Sequence, residues 1–182
     1  MVQGDFFVGA TVKKIKLTQD KEALVDDEDY EMLNEHKWYA DKDWSIKNKD
    51  KFYVKRNSPR DSNGKRKHIS MHRVITNAPK GMCVDHINGN GLDNRKENLR
   101  VCTPQQNNMN RRKYNNNTSG YKGVYYQKKP KHMINEYSKP WRAEIRRIHI
   151  GLYKTKEEAA LAYNKKALEV FGEYAQLNDV DE

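Results

Sequence analysis

The strongest constraint in this chain is the stretch MCVDHINGNGLDNRKENLRVCTPQQNNMN, residues 82 to 110. It predicts a short strand carrying Asp85 and His86, a loop of Asn and Gly, a second short strand near Arg100 to Cys102, and then a short helix. Thr103 is placed to cap that helix, Pro104 suits its first position and Gln106 falls three residues after the cap, so Asn107 lies in the opening turn. A carboxylate, an imidazole and an amide are thereby presented from three different elements.

The chain has 182 residues, enough for one ordinary domain or two to three small ones. With 36% hydrophobic and 33% charged residues, it is too polar for a single large core. The formal net charge of +10 attracts polyanions without saying which, and a solubilising surface is the bland alternative. Cys83 and Cys102 flank the loop and are expected to face one another as small buried residues in a reducing cell. Two cysteines are too few for a disulfide framework, and no partners at zinc spacing accompany them. There is no secretory leader and no run of about 18 apolar residues, so a soluble, intracellular protein is expected.

Residues 1–66 are nearly balanced in charge, with short apolar runs at Phe6 to Val8, Val12 to Leu17 and Phe52 to Val54 that read as strands. Asp26 to Leu33 reads as one or two helical turns, with Tyr30, Met32 and Leu33 on its apolar side. Trp38, Tyr39, Trp44, Phe52 and Tyr53 are expected to form the core of this module, with base stacking as the alternative. DSNGKRK, residues 61 to 67, contains an Asn-Gly turn signal. Ser70 to Asn77 follows as a helix burying Met71, Val74 and Ile75, and Pro79 and Gly81 end it. His72 reads as structural or solvent-facing, although it could orient a phosphate or a catalytic group. Gln105 to Asn117 is a Gln- and Asn-rich exit with Arg111, Arg112 and Lys113 in its middle. It is either a passive spacer or a linker that orders along a nucleic-acid backbone.

From Ser119 a further module begins. Val124 to Lys128, Trp141 to Ile148 and Ile150 to Tyr153 read as three antiparallel strands, joined in part by the polar connection 128–140. Alternation in WRAEIRRI puts Trp141, Ala143 and Ile145 on one side and Arg142, Glu144 and Arg146 on the other. A helix follows, with Thr155 and Glu158 as a capping box and an apolar face of Ala159, Ala160, Tyr163, Ala167, Val170 and Phe171 before Gly172. Gln176 to Asn178 are expected to tuck against the module, ahead of an exposed acidic tail.

Phosphodiester hydrolysis needs a positioned water, a base for its proton and positive charge beside the scissile phosphate. His86 is the best general-base candidate because its neutral form is available near pH 7. Asp85 offers hard oxygen ligation for Mg²⁺ or Mn²⁺, and Asn107 can add a carbonyl oxygen. Strand neighbours point to opposite sides, so Asp85 and His86 need a bend or a strand end to serve one site. Asn98 could fix the loop or hold His86. An Asp-His pair beside a loop that satisfies its own turns is the competing reading.

The stretch MHRVITNAPKGMCVDHINGNGLDNRKENLRVCTPQQNNMN closely resembles the HNH homing endonucleases of phage and mobile-intron type, with their ββα-metal active site. The resemblance implies Asp85 and Asn107 as metal ligands, His86 as the group that activates water, and Asn98 as the residue that steadies the loop. The last family position is Asn rather than the His of other branches, so no zinc-like ligand set follows. The C-terminal motifs SGYKGV, WRAEI, HIGLYKTKEEAALAYN and FGEYAQLN resemble an AP2 DNA-binding domain. That resemblance implies a sheet in the DNA major groove, with contacts from Lys122, Tyr125, Lys128, Trp141, Arg142, Arg146 and Arg147, and with Arg111, Arg112 and Lys113 along the backbone. Trp141 has a core anchor as its alternative role.

The expected fold is α+β: a mainly β module (1–66), a ββα-metal core (67–113), a polar linker (114–119) and a three-stranded sheet packed on one helix (120–178). The expected activity is metal-dependent, site-specific cleavage of duplex DNA by a monomer that nicks one strand and promotes the mobility of its gene, in bacterial cytoplasm if phage-encoded. The rivals are a DNA-binding regulator with an inactive core and an RNA-binding module.

Overall fold

The structure, a computed structural model, describes residues 11–44, 51–110, 117–130 and 137–180. The expected strand at Phe6 to Val8 and the basic run Arg111, Arg112 and Lys113 lie outside the described residues. The fold is mixed, with several small sheets and few helices, and the chain divides into two compact units that meet between Pro104 and Gln105.

In the first unit, β1 (Val12–Lys16) pairs antiparallel with β2 (Glu22–Asp26), which leads directly into α1 (Asp27–Asn34). Three acidic residues in the first turn of α1 suit the positive end of its dipole. Next come β3 (Tyr39–Lys42), β4 (Phe52–Asn57) and β5 (His68–Ser70), a three-stranded antiparallel sheet in that order. The helix α2 (Met71–Thr76) stops at Asn77, whose left-handed backbone (φ 45°) breaks the helical run two residues before Pro79. β6 (Cys83–His86) and β7 (Leu99–Cys102) then form the central antiparallel pair. Cys83 faces Cys102 in that register; both are free, and Cys102 is buried.

One core runs through this unit: Ile15, Ala23, Val25, Leu33, Trp38 and Val54 pack with Met71, and Leu92 of the Asn-Gly loop lies against them. A fully buried Val, Leu or Met contributes about 1.5 to 3 kcal/mol. The apolar surface of the N-terminal strands is therefore stabilised by α2 and the loop, and packing does not stop at residue 66. Of the aromatic residues expected in this core, Trp38 belongs to it, whereas Tyr39, Trp44, Phe52 and Tyr53 do not. Trp44, two residues beyond β3, is 81% exposed, and Met32 of α1 is exposed as well.

The boundary falls at the first residue of α3 (Pro104–Met109), which starts at the proline as expected, and the rest of that helix opens the second unit. The strands β8 (Val124–Tyr126), β9 (Trp141–Ile145) and β10 (Ile148–Tyr153) form an antiparallel sheet with β9 central, and α4 (Lys156–Phe171) packs against it. Thr155 Oγ1 accepts from the Glu158 amide at 3.1 Å, and the Glu158 carboxylate accepts from the Lys154 amide at 3.0 Å. Ala143, Ala159, Ala160 and Ala167 are all fully buried, so the small side chains let the helix lie close. Gly123 belongs to the same contact: a Cβ there would stand 2.2 Å from the Tyr163 ring, and its φ is 73°. Asn178 ties the C-terminal segment down through Asn164 and both backbone groups of Lys122. The acidic tail is not wholly exposed, since Val180 packs on the core.

The expected strand ends were too long. β9 stops at Ile145 because Arg146 and Arg147 both take left-handed backbone (φ 49° and 66°), making a two-residue turn into β10. Arg146 therefore leaves the face shared by Arg142 and Glu144, and its guanidinium lies 4.8 Å from the Phe171 ring centre.

Candidate active site

His86 is the last residue of β6 and is 5% exposed. Its Nε2 lies 3.4 Å from Asn94 Oδ1, while Asn94 Nδ2 points to the Gly91 carbonyl at the same distance. An amide oxygen only accepts, so in this contact the imidazole donates from Nε2. Burial lowers the His86 pKa from its ordinary 6.5, and the nearby charge of Lys51 pushes the same way against Asp85 and Asp93. The ring is consequently neutral at pH 7.

Three rings pack there. His72 meets His86 edge to face with centres 5.2 Å apart, and Tyr53 lies 5.9 Å from His86 and 6.2 Å from His72. His72 is neutral too: burial, and then His86, Arg73 and Lys55, push its pKa down to about 3. Its Nδ1 is buried with no hydrogen-bond partner. Lys51 Nζ sits 5.1 Å from the Tyr53 ring centre, placing an ammonium at the same cluster.

Asp85 is 8% exposed and sits opposite Arg100 across β6 and β7. Arg100 donates to one carboxylate oxygen, Oδ2, from Nη2 at 2.7 Å and Nε at 3.0 Å. Among the described residues no group of three or more His, Cys, Asp or Glu side chains could hold a metal ion. The donor chemistry of Asp85, a carboxylate oxygen, still suits a hard cation that fills the rest of its shell with water and phosphate. It does not suit a closed zinc site.

The loop between β6 and β7 is braced from two sides. Asn98, on a short 3-10 turn (Lys96–Asn98), accepts from the Asn88 amide at 3.0 Å and donates to the Asp93 carbonyl at 2.7 Å. Asp93 is held low in pKa chiefly by Arg95, whose Nε and Nη2 each reach a carboxylate oxygen at 2.8 Å. From outside, β2 contributes: Leu24 exchanges backbone bonds with Leu92 and Asn94 at 2.9 and 2.8 Å, and Asp26 Oδ2 accepts from the Lys96 amide at 2.7 Å. Gly91 then lies so near β4 that a Cβ would come within 2.3 Å of the Phe52 carbonyl.

Of the expected site residues, Asp85, His86 and Asn98 are in the first unit, and Asn107 is half-buried on α3 in the second. Asn98 holds the loop, while Asn94 is the amide next to His86. Asn94, Tyr53 and Lys51 were missed; the dense Asn spacing of the loop was the only local signal for the first. In the second unit, Tyr125 is 52% exposed and Lys128, Arg146 and Arg147 are exposed. Trp141 is partly buried and packs edge to face on Tyr126 at 5.1 Å. Arg142 pairs with Glu144 at 2.7 Å. Lys122 instead turns inward, donating to the Met109 carbonyl at 3.0 Å, and burial pushes its pKa down to about 8.

A ββ pair with a buried Asp-His end, a braced Asn-rich loop and a following helix is the frame of an HNH nuclease domain. Residues 71–109 match the family model described as HNH endonuclease, so the chain carries that domain. It is 34% identical over 119 residues to an uncharacterized HNH endonuclease of Acanthamoeba polyphaga mimivirus, covering 62% of this chain and 59% of the relative. It is 39% identical over 64 residues to protein 3.8 of Escherichia phage T7, covering 35% of this chain and 53% of the relative. The chain thus spans only a little over half the length of these relatives. No solved structure matches. Among the described residues no helix is long and apolar enough to cross a membrane.

Proposed function

We propose that this protein is a site-specific DNA endonuclease that hydrolyses one phosphodiester bond of duplex DNA, nicking as a monomer and promoting the mobility of its own gene. The observation that carries the reading is His86: buried, neutral, in contact with Asn94 and next to a buried carboxylate. In this reading the neutral His86 imidazole takes the proton from the attacking water, and the His72 and Tyr53 rings hold its plane. Lys51 faces the phosphate, and Asn98 keeps the loop, and with it His86, in place. Asp85 and, by the family resemblance, Asn107 would hold Mg²⁺ or Mn²⁺, which would supply Lewis-acid stabilisation of charge on the phosphate and the leaving 3′ oxygen. The products are a 5′ phosphate and a 3′ hydroxyl.

Target binding is assigned to the AP2-like second unit. The exposed side chains of Tyr125, Lys128, Arg146 and Arg147 support this, as does the net charge of +10. Arg111, Arg112 and Lys113 would add phosphate contacts. The test is strand-resolved cleavage of a DNA library of candidate insertion sites, with and without Mg²⁺, comparing the native protein with His86→Ala. Metal-dependent cuts in one strand at one sequence, lost in the variant while binding persists, are the expected result. Selective binding without a cut by the native protein would favour a DNA-binding regulator.

A further inference from the structure

The central strand pair carries two thiols that the reaction above does not use. Cys83 opens β6 and Cys102 closes β7, and the register sets them directly opposite one another. Both are free. Residues opposite each other in an antiparallel pair have Cα atoms about 4.5 to 5.5 Å apart. A disulfide spans about 4.4 to 6.8 Å between Cα atoms, so cross-strand partners of this kind need little movement to be bridged.

Alternate side chains of a strand share a face, so the thiols lie on the side that carries Asp85 and Arg100. In agreement, burial and then the charges of Asp85 and Cys83 push the Cys102 thiol pKa up. The start of β6 is held in place as well: the carbonyl of Met82, the residue before Cys83, accepts from Arg73 Nη1 at 2.8 Å. Two thiols are an incomplete ligand set for zinc, and among the described residues no group of three or more His, Cys, Asp or Glu could hold a metal. Access differs between the two sulfurs. Cys83 is half-buried and can meet a solute, whereas Cys102 is fully buried and is not reached from solvent. An accessible sulfur beside a hidden one is the arrangement that thiol-disulfide exchange uses, the first meeting the oxidant and the second resolving the adduct.

We propose that Cys83 and Cys102 are a redox modification site, closing to a disulfide across β6 and β7 when the chain meets a small disulfide oxidant such as glutathione disulfide. The Cys83 sulfur attacks one sulfur of the oxidant, forming a mixed disulfide and releasing one glutathione. The Cys102 sulfur then attacks the Cys83 sulfur, and the second glutathione leaves. Two electrons pass from the protein thiols to the S–S bond of the oxidant, and the two thiol protons end on the released glutathiones. The bridge closes residues 83–102 into one ring, which restricts the unfolded chain and staples the strands that carry Asp85, His86 and Arg100. Reduction opens it again.

The experiment equilibrates the full native chain with glutathione buffers of rising oxidant fraction, quenches with acid and follows the thiols by intact mass. Loss of both thiols together, as an internal bridge that dithiothreitol reverses, is the expected result. Cys83→Ser should leave Cys102 unreacted, and Cys102→Ala should hold one glutathione on Cys83. The unfolding midpoint of the bridged protein should rise by about 5 to 10 °C over that of the reduced protein. Bridging that occurs only in urea, a lasting glutathione adduct on the native chain, bridged dimers or an unraised midpoint overturns the proposal. Should the Cys102 variant fail to fold, Cys83→Ser still decides, because a glutathione adduct on Cys102 in that variant overturns the proposal too. Mass reads the bridge without any cleavage, so its failure leaves the nuclease reading untouched.

Discussion

Arg100 and Asp85 face each other across the central strand pair, and the guanidinium places two donors on a single carboxylate oxygen at 2.7 and 3.0 Å. Both side chains are largely buried, so each neutralises a charge that the interior would otherwise penalise. Arg100→Ala should cost about 3 kcal/mol in urea unfolding, because it leaves the Asp85 carboxylate without this partner. Arg100→Ala with Asp85→Ala should cost less than the two single changes added together. Strict additivity, or an Arg100→Ala cost near zero, would show that the pair does not act as a unit.

His72 links the same region to pH. Its folded pKa, about 3, lies below the ordinary 6.5, chiefly through burial. Between these values the unfolded chain binds more protons than the native one, so stability rises with pH across the window. The contribution is fully present above about 6.5 and is lost progressively as pH falls toward about 3. Urea unfolding at pH 7 and pH 5 should show a loss on the order of 1 kcal/mol from this side chain. In His72→Phe, where nothing titrates, that part of the difference should vanish. An unchanged pH dependence would mean that His72 stays hydrated in the folded protein.

Much of the central unit was legible because its signals are local. The Asp85-His86 strand end, the return to Cys102 and the helix starting at Pro104 follow from residues within a few positions of one another. So does the capped start of α4 at Thr155. The surroundings of His86 were not legible in the same way. Tyr53 and Lys51 come from another sheet some thirty residues earlier, and β2 braces the loop through backbone groups that carry no side-chain signature. Trp44 misled for a related reason: an aromatic residue in a strand-rich segment suggests core, whereas its exposure is set by tertiary placement that no local pattern carries. Asn94 was hidden by abundance, one amide among many in a loop where each could close its own turn.

Gly91 tests whether the loop must lie against β4. An added Cβ would meet the Phe52 carbonyl at 2.3 Å and the Tyr53 ring at 2.6 Å, and backbone cannot give way as a flexible side chain does. Gly91→Ala should therefore destabilise the protein by about 1 to 3 kcal/mol. It should also reduce cleavage more than binding, since Tyr53 packs on His86 while the second unit is untouched. Equal loss of binding and cleavage would place the effect on the fold as a whole.

The turn between β9 and β10 offers a separation of stability from recognition. Arg146 and Arg147 both hold positive φ, a conformation that costs an L-residue roughly 1 to 2 kcal/mol and that Asn-Gly adopts readily. Replacing the pair by Asn-Gly should thus relieve strain, offset in part by loss of the Arg146 contact with Phe171, for a net gain of about 1 kcal/mol. If the two exposed guanidinium groups meet DNA phosphates, the same change should weaken duplex binding and reduce the log-log salt slope by up to about 1.8. Thermal unfolding and salt-dependent anisotropy on a target duplex measure the two effects independently. A more stable variant that binds less well fits strain kept for recognition; a more stable variant with native affinity would move the DNA contacts to Tyr125, Lys128 and Arg142, elsewhere on the sheet.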